Sequence, residues 1–521
     1  MVLSLLTGTA PCPCCAYGHA DSLLPVSMRN LFSGRAARAA AKASSAAATK
    51  VSGLLRIDGV TIVDPRDGSK TPNMSILMNM GRITAVVPAA TEGHPSIDRI
   101  DATGKFVVPG YNDMHSHVLE LEDPTGSMAL MLAEGVTGFR QMSGSPALLA
   151  RKAAGGLAFG PQAPQLLQTS GALITPFNAG TVEAVTEEIR RQKAAGADFI
   201  KVGLCHPEVF LAAIKVAGEV GIPILGHLQE GANALEATDL GFHSVEHLGP
   251  SATVWMCCSD DEEALSADSR RREFIKAPPF KIPFLEQIIM KRLRKLLINP
   301  AAFAQRPDIE RLGQAIETFN PDKAKRTADR FVEKGTWHCP TLVRLRTQEY
   351  ADRAEYRQDD MLNYLPKASI KDWEMITGKF TALPDDLKRI YDSAYPRQQM
   401  LAKFFSDAGV KMICGTDGGS YLGPGLTLKQ EFKELSDAGV SPLTILQMAT
   451  INAAEYLGRS DSMGVVESGR DADLVLLDAD PLDSAENLHR ISGVVRAGFY
   501  HSRQTLDGLK AQVASGCGYL N

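Results

Sequence analysis

Residues 107–117 read Val-Val-Pro-Gly-Tyr-Asn-Asp-Met-His-Ser-His, an apolar stretch that ends in two imidazoles, His115 and His117. Side chains two residues apart on an extended strand lie on the same face, so both rings should point in one direction. A His-x-His pair by itself is also found among ordinary surface and core histidines. Its meaning therefore depends on whether other segments of the chain end in a similar way.

Four further apolar segments end in a side chain that can take part in a metal site. They are Ala-Asp-Phe-Ile-Lys up to Lys201, Pro-Ile-Leu-Gly-His up to His227, Ser-Val-Glu-His up to His247, and Met-Ile-Cys-Gly-Thr-Asp up to Asp417. Imidazole nitrogens and carboxylate oxygens are typical ligands of zinc in hydrolytic sites. An ammonium between apolar neighbours loses hydration, so we expect Lys201 to have a lowered pKa or a close partner. We assign no metal role to His206, His243 or His338.

The central part of the chain alternates between apolar strands and helical stretches. The predicted strands cover residues 107–114, 138–142, 165–168, 199–202, 224–227, 244–247, 337–343 and 412–416. Eight such strands with intervening helices predict an α/β fold, a (β/α)8 TIM barrel. In that fold the active site lies at the carboxyl ends of the strands, which is where the metal-capable side chains fall.

Short alternating strands occur near both ends of the chain, and we expect them to form one small β-sandwich. The predicted organisation is a disordered or processed tail at 1–50, sandwich parts at 51–108 and 464–505, a barrel at 109–463, and a C-terminal tail at 506–521. Two stretches within the barrel, at about 250–335 and 346–401, exceed ordinary loop length. We predict that both form a helical cap above the pocket.

The composition is that of a soluble globular protein, with 44% hydrophobic residues, 22% charged residues and a net charge of -5. This charge gives no reason to expect nucleic acid as a partner, and no apolar run is long enough to span a membrane. We therefore expect a small-molecule substrate, and a homo-oligomer is compatible with the sequence.

The nine cysteines lack the paired spacing of a disulfide framework. We expect a cytoplasmic protein, with a periplasmic or secreted location as the alternative because the first 50 residues are ambiguous.

The stretch at 107–117 resembles the first barrel strand of the amidohydrolase superfamily, in which Pro-Gly and an acidic residue precede His-x-His. Residues 468–474, Ser-Gly-Arg-Asp-Ala-Asp-Leu, are similar to the returning sandwich strand of that family. The resemblance implies two divalent metal ions, with zinc expected, and an N-carboxylated Lys201 that bridges them. It also implies that His227 and His247 bind the second metal and that Asp417 binds the first and shuttles a proton.

Within that superfamily the chain is most similar to the imidazolonepropionase-like group, which includes Xaa-Pro dipeptidases. Cys-Pro-Thr-Leu at 339–342 and Thr-Ile-Asn-Ala-Ala at 450–454 carry this likeness. Many members have Arg-Asp after the second strand, where this chain has Arg140-Gln141. The resemblance thus favours hydrolysis of an amide bond, in or outside a ring, in a dipeptide or N-acyl amino acid.

Several alternatives remain open at the level of sequence. The spacing His227-Leu-Gln-Glu230 is also that of mononuclear deaminases of this fold, in which the glutamate acts as the acid. A lactone or ester hydrolase would use the same metals, whereas a non-enzymatic scaffold is disfavoured because every ligand position is filled. Arg344 follows the seventh strand and is our candidate for binding a substrate carboxylate, although an arginine at the base of the cap helix explains it equally well.

Overall fold

A computed structural model describes residues 54–91, 97–121, 123–248, 252–271, 298–418 and 426–517. The predicted N-terminal tail at 1–50 lies outside these residues. The strands are β1 (Leu54–Val63), β2 (Lys70–Asn79), β3 (Arg82–Pro88), β4 (Asp98–Asp101), β5 (Phe106–Pro109), β6 (Tyr111–Ser116), β7 (Val136–Gln141), β8 (Gln165–Thr169), β9 (Ile200–Val202), β10 (Ile224–Gly226), β11 (Ser244–Glu246), β12 (Trp337–Cys339), β13 (Leu474–Leu477), β14 (Ile491–Arg496) and β15 (Phe499–Ser502).

Helices follow most of the central strands. They are α1 (Pro124–Ala133), α2 (Pro146–Ala153), α3 (Val182–Ala194), α4 (Pro207–Val220), α5 (Ala234–Asp239), α6 (Thr253–Cys257), α7 (Glu262–Arg270), α8 (Arg306–Glu317), α9 (Pro321–Lys334), α10 (Leu342–Glu349), α11 (Lys367–Thr381), α12 (Asp385–Asp407), α13 (Leu428–Asp437), α14 (Pro442–Ala449), α15 (Ile451–Tyr456) and α16 (Arg503–Cys517). None of these described helices combines the length and the apolar character needed to cross a membrane.

The two ends of the chain form one eight-stranded sheet, in the order β15-β14-β13-β5-β1-β2-β3 with β4 beside β1. The join between the ends is the antiparallel pair of β5 and β13, in which Val107 lies opposite Leu476. Both of these side chains are fully buried in the core of this sheet. The expected partnership of the chain ends is thus observed.

The central strands form a closed parallel barrel. Strands β6, β7 and β8 pair in that order, and β9, β10, β11 and β12 pair in a second group. We call the successive strand segments of the barrel wall its staves, and β6 to β12 are the first seven. Bridges between Ser170 and Phe199 and between Ile174 and Val202 join the two groups. Residues 412–418 provide the eighth stave, since Met412 bridges to His338 and Gly418 bridges to Ser116. The predicted (β/α)8 barrel is confirmed.

Two predicted barrel strands differ from the structure by more than two residues at one end. The stretch 107–114 is divided between β5, in the terminal sheet, and β6, in the barrel. The chain crosses between the sheets at Gly110, where a Cβ would lie 2.1 Å from the Thr137 Oγ1 atom. The seventh strand ends at Cys339 instead of residue 343, because Pro340 and the left-handed Thr341 (φ 43°) turn the chain into α10.

Part of the stretch at about 250–335, predicted as a cap, packs against the barrel. Helix α9 starts at an Asn320 cap and ends at Gly335 (φ 66°), both of which are strong helix-boundary signals. Its Phe331 ring lies 4.5 Å from the His338 ring of β12 and 5.7 Å from Phe405 of α12. Helix α9 therefore packs against the barrel strand, because its apolar stripe needs a partner surface, and does not belong wholly to a cap.

The described part of the predicted C-terminal tail at 506–521 is helical. Residues Arg503–Cys517 form α16, which packs against α1. The Leu506 side chain is fully buried in the main core. The helix also contacts β14, β15 and residues 360–364, so segments that are distant in sequence hold it in place.

Candidate metal centre

The carboxyl ends of the first and eighth staves bring two imidazoles and one carboxylate together. The Asp417 Oδ1 atom lies 3.2 Å from the His115 Nε2 atom and 3.0 Å from the His117 Nε2 atom. One ligand atom from each of these three residues lies within 4.8 Å of the others, and all three side chains are buried. Their donor types and spacing fit a divalent metal ion.

The remaining predicted ligands lie beside this group. The Lys201 Nζ atom is 3.5 Å from the His115 Nε2 atom, and its side chain is fully buried. The ring centroid of His247 lies 4.6 Å from that of His115 and 5.2 Å from that of His227. The structure thus brings the predicted metal ligands together, with Lys201 beside His115.

Partners outside the centre hold the four imidazoles by their Nδ1 atoms. The Nδ1 atom of His115 is 2.6 Å from a Glu246 oxygen, and that of His247 is 2.6 Å from the Thr341 hydroxyl. The Nδ1 atom of His117 is 2.8 Å from the Ser143 hydroxyl, and that of His227 is 3.0 Å from the Gly203 carbonyl oxygen. Outer hydrogen bonds of this type orient histidines for metal binding, so the arrangement fits a metal.

The backbone is left-handed where three of the staves end. The φ angles are 61° at His247, 55° at Leu248, 43° at Thr341 and 51° at Asp417. Non-glycine residues in this region cost free energy and persist only where the surrounding structure holds them. This conformation breaks the alternation of the strand at His247 and Asp417, whose side chains both lie beside His115.

The electrostatic surroundings of the two buried aspartates differ. Burial raises the pKa of Asp113 to about 6, although the Thr416 hydroxyl and backbone amides hydrogen-bond to this carboxylate. Burial alone would also raise the pKa of Asp417, but the imidazoles of His247 and His115 hold it well below its usual range. Asp113 therefore ties the first stave to the eighth, whereas Asp417 is an ionised carboxylate at the centre.

Arg344 lies at the centre as well, in the first turn of α10. Its Nε atom is 3.2 Å from the Asp417 Oδ2 atom, and its Nη1 atom donates to the Ile298 carbonyl oxygen at 3.2 Å. Glu230, in contrast, has its carboxylate 3.4 Å from the Arg311 guanidinium of α8. The structure therefore places Arg344 against a predicted ligand and Glu230 against a helix outside the barrel.

Sequence reasoning missed Glu246 and Arg140, which lie inside the barrel beneath the centre. Both are fully buried, and their side chains form an ion pair at 2.9 Å. Strict alternation would put Glu246 and His247 on opposite faces, but the left-handed His247 breaks that rule. The signal in the sequence was a charged residue near the end of β7 and of β11, which are otherwise uncharged strands. A charge buried at such a position must be neutralised by a partner.

Comparisons with known proteins agree with this architecture. Residues 322–499 match the model of the amidohydrolase family. The dihydroorotase of Geobacter sp. (strain M21) is 27% identical over 235 residues, which cover 43% of this chain and 53% of the relative. The imidazolonepropionase of Thermoplasma volcanium is 33% identical over 89 residues, which cover 17% of this chain and 21% of that relative. These curated relatives are thus matched over about half of their length or less.

Solved structures are similar over most of the chain. A bottromycin amidohydrolase superposes with a TM-score of 0.62 at 20% identity, and the match covers 90% of this chain and 92% of that one. A Xaa-Pro dipeptidase superposes with a TM-score of 0.57 at 17% identity, and the match covers 86% of this chain and all of that one. These likenesses show the fold of the chain, and its residues 322–499 are similar to the amidohydrolase family.

Proposed function

We propose that this protein is a metal-dependent hydrolase that cleaves an amide carbon–nitrogen bond of a small molecule. The observation that carries the proposal is the meeting of four imidazoles, Lys201 and Asp417 at the carboxyl ends of the barrel staves. The similar proteins include a dihydroorotase and a Xaa-Pro dipeptidase, and this likeness supports a hydrolase.

Two divalent ions, with zinc as the first choice, would activate water and polarise the substrate carbonyl. His115, His117 and Asp417 would hold one ion, and His227 and His247 would hold the other. Lys201 would bridge them as its N-carboxylated form, which turns a buried cation into an oxygen ligand. Asp417 would take a proton from the attacking water and deliver it to the leaving nitrogen.

The proposed substrate is a dipeptide or an N-acyl amino acid, in which a carboxylate is attached next to the leaving nitrogen. The Arg344 guanidinium lies 3.2 Å from Asp417, the proposed proton donor to that nitrogen. A substrate that reaches Asp417 with its leaving nitrogen would bring its carboxylate towards Arg344. Charge-assisted hydrogen bonds to a carboxylate are among the strong polar contacts in proteins.

The deaminase alternative receives less support from the structure. Its acid would be Glu230, whose carboxylate faces Arg311 instead of the imidazole group. Hydrolysis of a lactone or ester would use the same residues as amide hydrolysis. Substrate panels therefore have to contain matched amides, esters and amino-heterocycles.

The first experiment measures metal content per chain by elemental mass spectrometry, on protein purified with zinc and bicarbonate. We expect about two metals in the wild type, a clear loss in Lys201→Ala, and no change in Lys215→Ala, which alters an exposed lysine of α4. One metal in both the wild type and Lys201→Ala would remove the bridging role of Lys201 and favour a mononuclear deaminase. A metal-replete protein inactive on amide, ester and deaminase panels would refute the proposed hydrolase.

The role of Arg344 is tested with Arg344→Met and pairs of substrates that differ only in a free or amidated carboxyl group. We expect KM to rise for the free carboxylates and to change little for the amidated analogues. An unchanged KM for the carboxylates would exclude Arg344 from substrate binding. A fall in kcat for both classes would instead indicate that Arg344 acts through Asp417.

A further inference from the structure

Glu246 connects the candidate metal centre to a buried cation. One of its carboxylate oxygens is 2.6 Å from the His115 Nδ1 atom. The other accepts from the Arg140 Nη2 atom at 2.9 Å and from the Ser244 hydroxyl at 3.0 Å. Glu246, Arg140, His115 and Ser244 are all fully buried.

Arg140 is itself held from several sides. Its Nε atom donates to the Met114 carbonyl oxygen at 2.6 Å, and its Nη1 atom donates to the Tyr456 hydroxyl. The guanidinium also lies over the Tyr456 ring, 4.7 Å from the centroid. A charge buried in a barrel is tolerated only when it is paired and hydrogen-bonded, and this guanidinium satisfies both conditions.

This geometry determines which nitrogen of His115 carries a proton. A carboxylate paired with a guanidinium only accepts hydrogen bonds, so the proton between Glu246 and His115 belongs to the Nδ1 atom. The Nε2 atom is then the lone-pair nitrogen. It lies 3.2 Å from Asp417 and 3.5 Å from Lys201, which is the side on which a metal would bind.

The same atoms include a second set of donors, made of His115, Glu246 and Cys339. A metal bound there would have to displace the hydrogen bond between His115 and Glu246. It would also lie beside the Arg140 guanidinium, which repels a cation. The contacts therefore favour a hydrogen-bonded support over a separate metal site at Cys339.

We propose that Glu246, neutralised by Arg140, is a positioning residue that fixes the ring orientation and the Nδ1-protonated tautomer of His115. The consequence for metal binding rests on the proposed function, but the tautomer does not. Outer carboxylates of this kind typically raise metal affinity by about 10- to 100-fold.

The test measures two properties of the wild type and the variants. Chelator competition gives the zinc affinity. The ¹⁵N chemical shifts of histidine-labelled full-length protein give the His115 tautomer, and His115→Gln identifies the His115 signals. Glu246→Gln alone leaves Arg140 unpaired and can fail to fold. The neutral pair Arg140→Met with Glu246→Gln avoids this cost. Arg140→Lys keeps the charge, and Glu188→Gln alters a buried carboxylate on α3 that pairs with Arg191.

We expect the neutral pair to lose about 10- to 100-fold in affinity for one zinc ion and to show a mixture of His115 tautomers. Arg140→Lys and Glu188→Gln should retain the wild-type affinity and the Nδ1-protonated tautomer. An Nε2-protonated His115 in the wild type, or an unchanged tautomer in the neutral pair, overturns the inference. Because the shifts are read with or without zinc, a wild type that binds no metal would refute the proposed function alone. If Cys339→Ser removes a zinc ion, the His115, Glu246 and Cys339 set binds metal and the inference is also wrong.

Discussion

Gly415→Ala tests how closely the eighth stave must approach the first. A Cβ at this position would lie 2.5 Å from the His115 Cβ atom, 2.6 Å from the Cys339 Sγ atom and 2.8 Å from the His115 nitrogen. Two of these contacts involve atoms close to the backbone, which cannot rotate away. The staves would have to separate by roughly 1 Å to restore ordinary van der Waals contact.

The size of the effect follows from this displacement. Overpacking of a well-packed core typically costs about 1–3 kcal/mol of stability. A displacement of about 1 Å at a catalytic centre can lower activity by about 100-fold. Because His115 and Asp417 lie on the two staves that must separate, we expect Gly415→Ala to lose zinc affinity as well as stability.

Thermal unfolding and chelator competition measure the two losses separately. The control is Gly218→Ala in α4, where a Cβ meets nothing within 4 Å and should stabilise the helix slightly. If Gly415→Ala kept the wild-type zinc affinity and melting temperature, the contact between the staves would not limit this site.

Two further predictions concern stability away from the centre. Burial raises the pKa of Glu349 to about 8 from an ordinary 4.5, so the unfolded chain loses this proton first and stability should fall by about 1.4 kcal/mol per pH unit between these values. In thermal melts, the difference in melting temperature between Glu349→Gln and the wild type should therefore grow from pH 5 to pH 8. The exposed Glu374→Gln should show no such growth. A difference for Glu349→Gln that stays constant with pH would contradict the prediction. Leu506→Ala should cost about 2–5 kcal/mol in urea unfolding because its side chain is fully buried, whereas Leu54→Ala, 43% exposed, should cost far less. Equal costs would show that α16 is not docked.

The predictions from sequence were most accurate where local pattern and chemistry agree. An apolar strand can be recognised from its own residues, and a metal-capable side chain at its end needs no knowledge of its neighbours. The barrel and the joined chain ends rest on that type of signal. The nomination of metal ligands rests on it as well and stays a prediction; it covers His115, His117, Lys201, His227, His247 and Asp417.

The sequence alone determined the barrel and nominated candidate side chains for its centre, because strand ends and the geometry of parallel barrels give their positions. Only the tertiary structure decided what holds them. The Glu246 and Arg140 pair depends on two barrel strands, with the two residues 106 positions apart in the chain, and the Arg344 contact with Asp417 joins α10 to the eighth stave. The docking of α9, α12 and α16 likewise depends on surfaces supplied by distant segments. Contacts of this kind arise from the packing of the whole chain, and no local pattern specifies them.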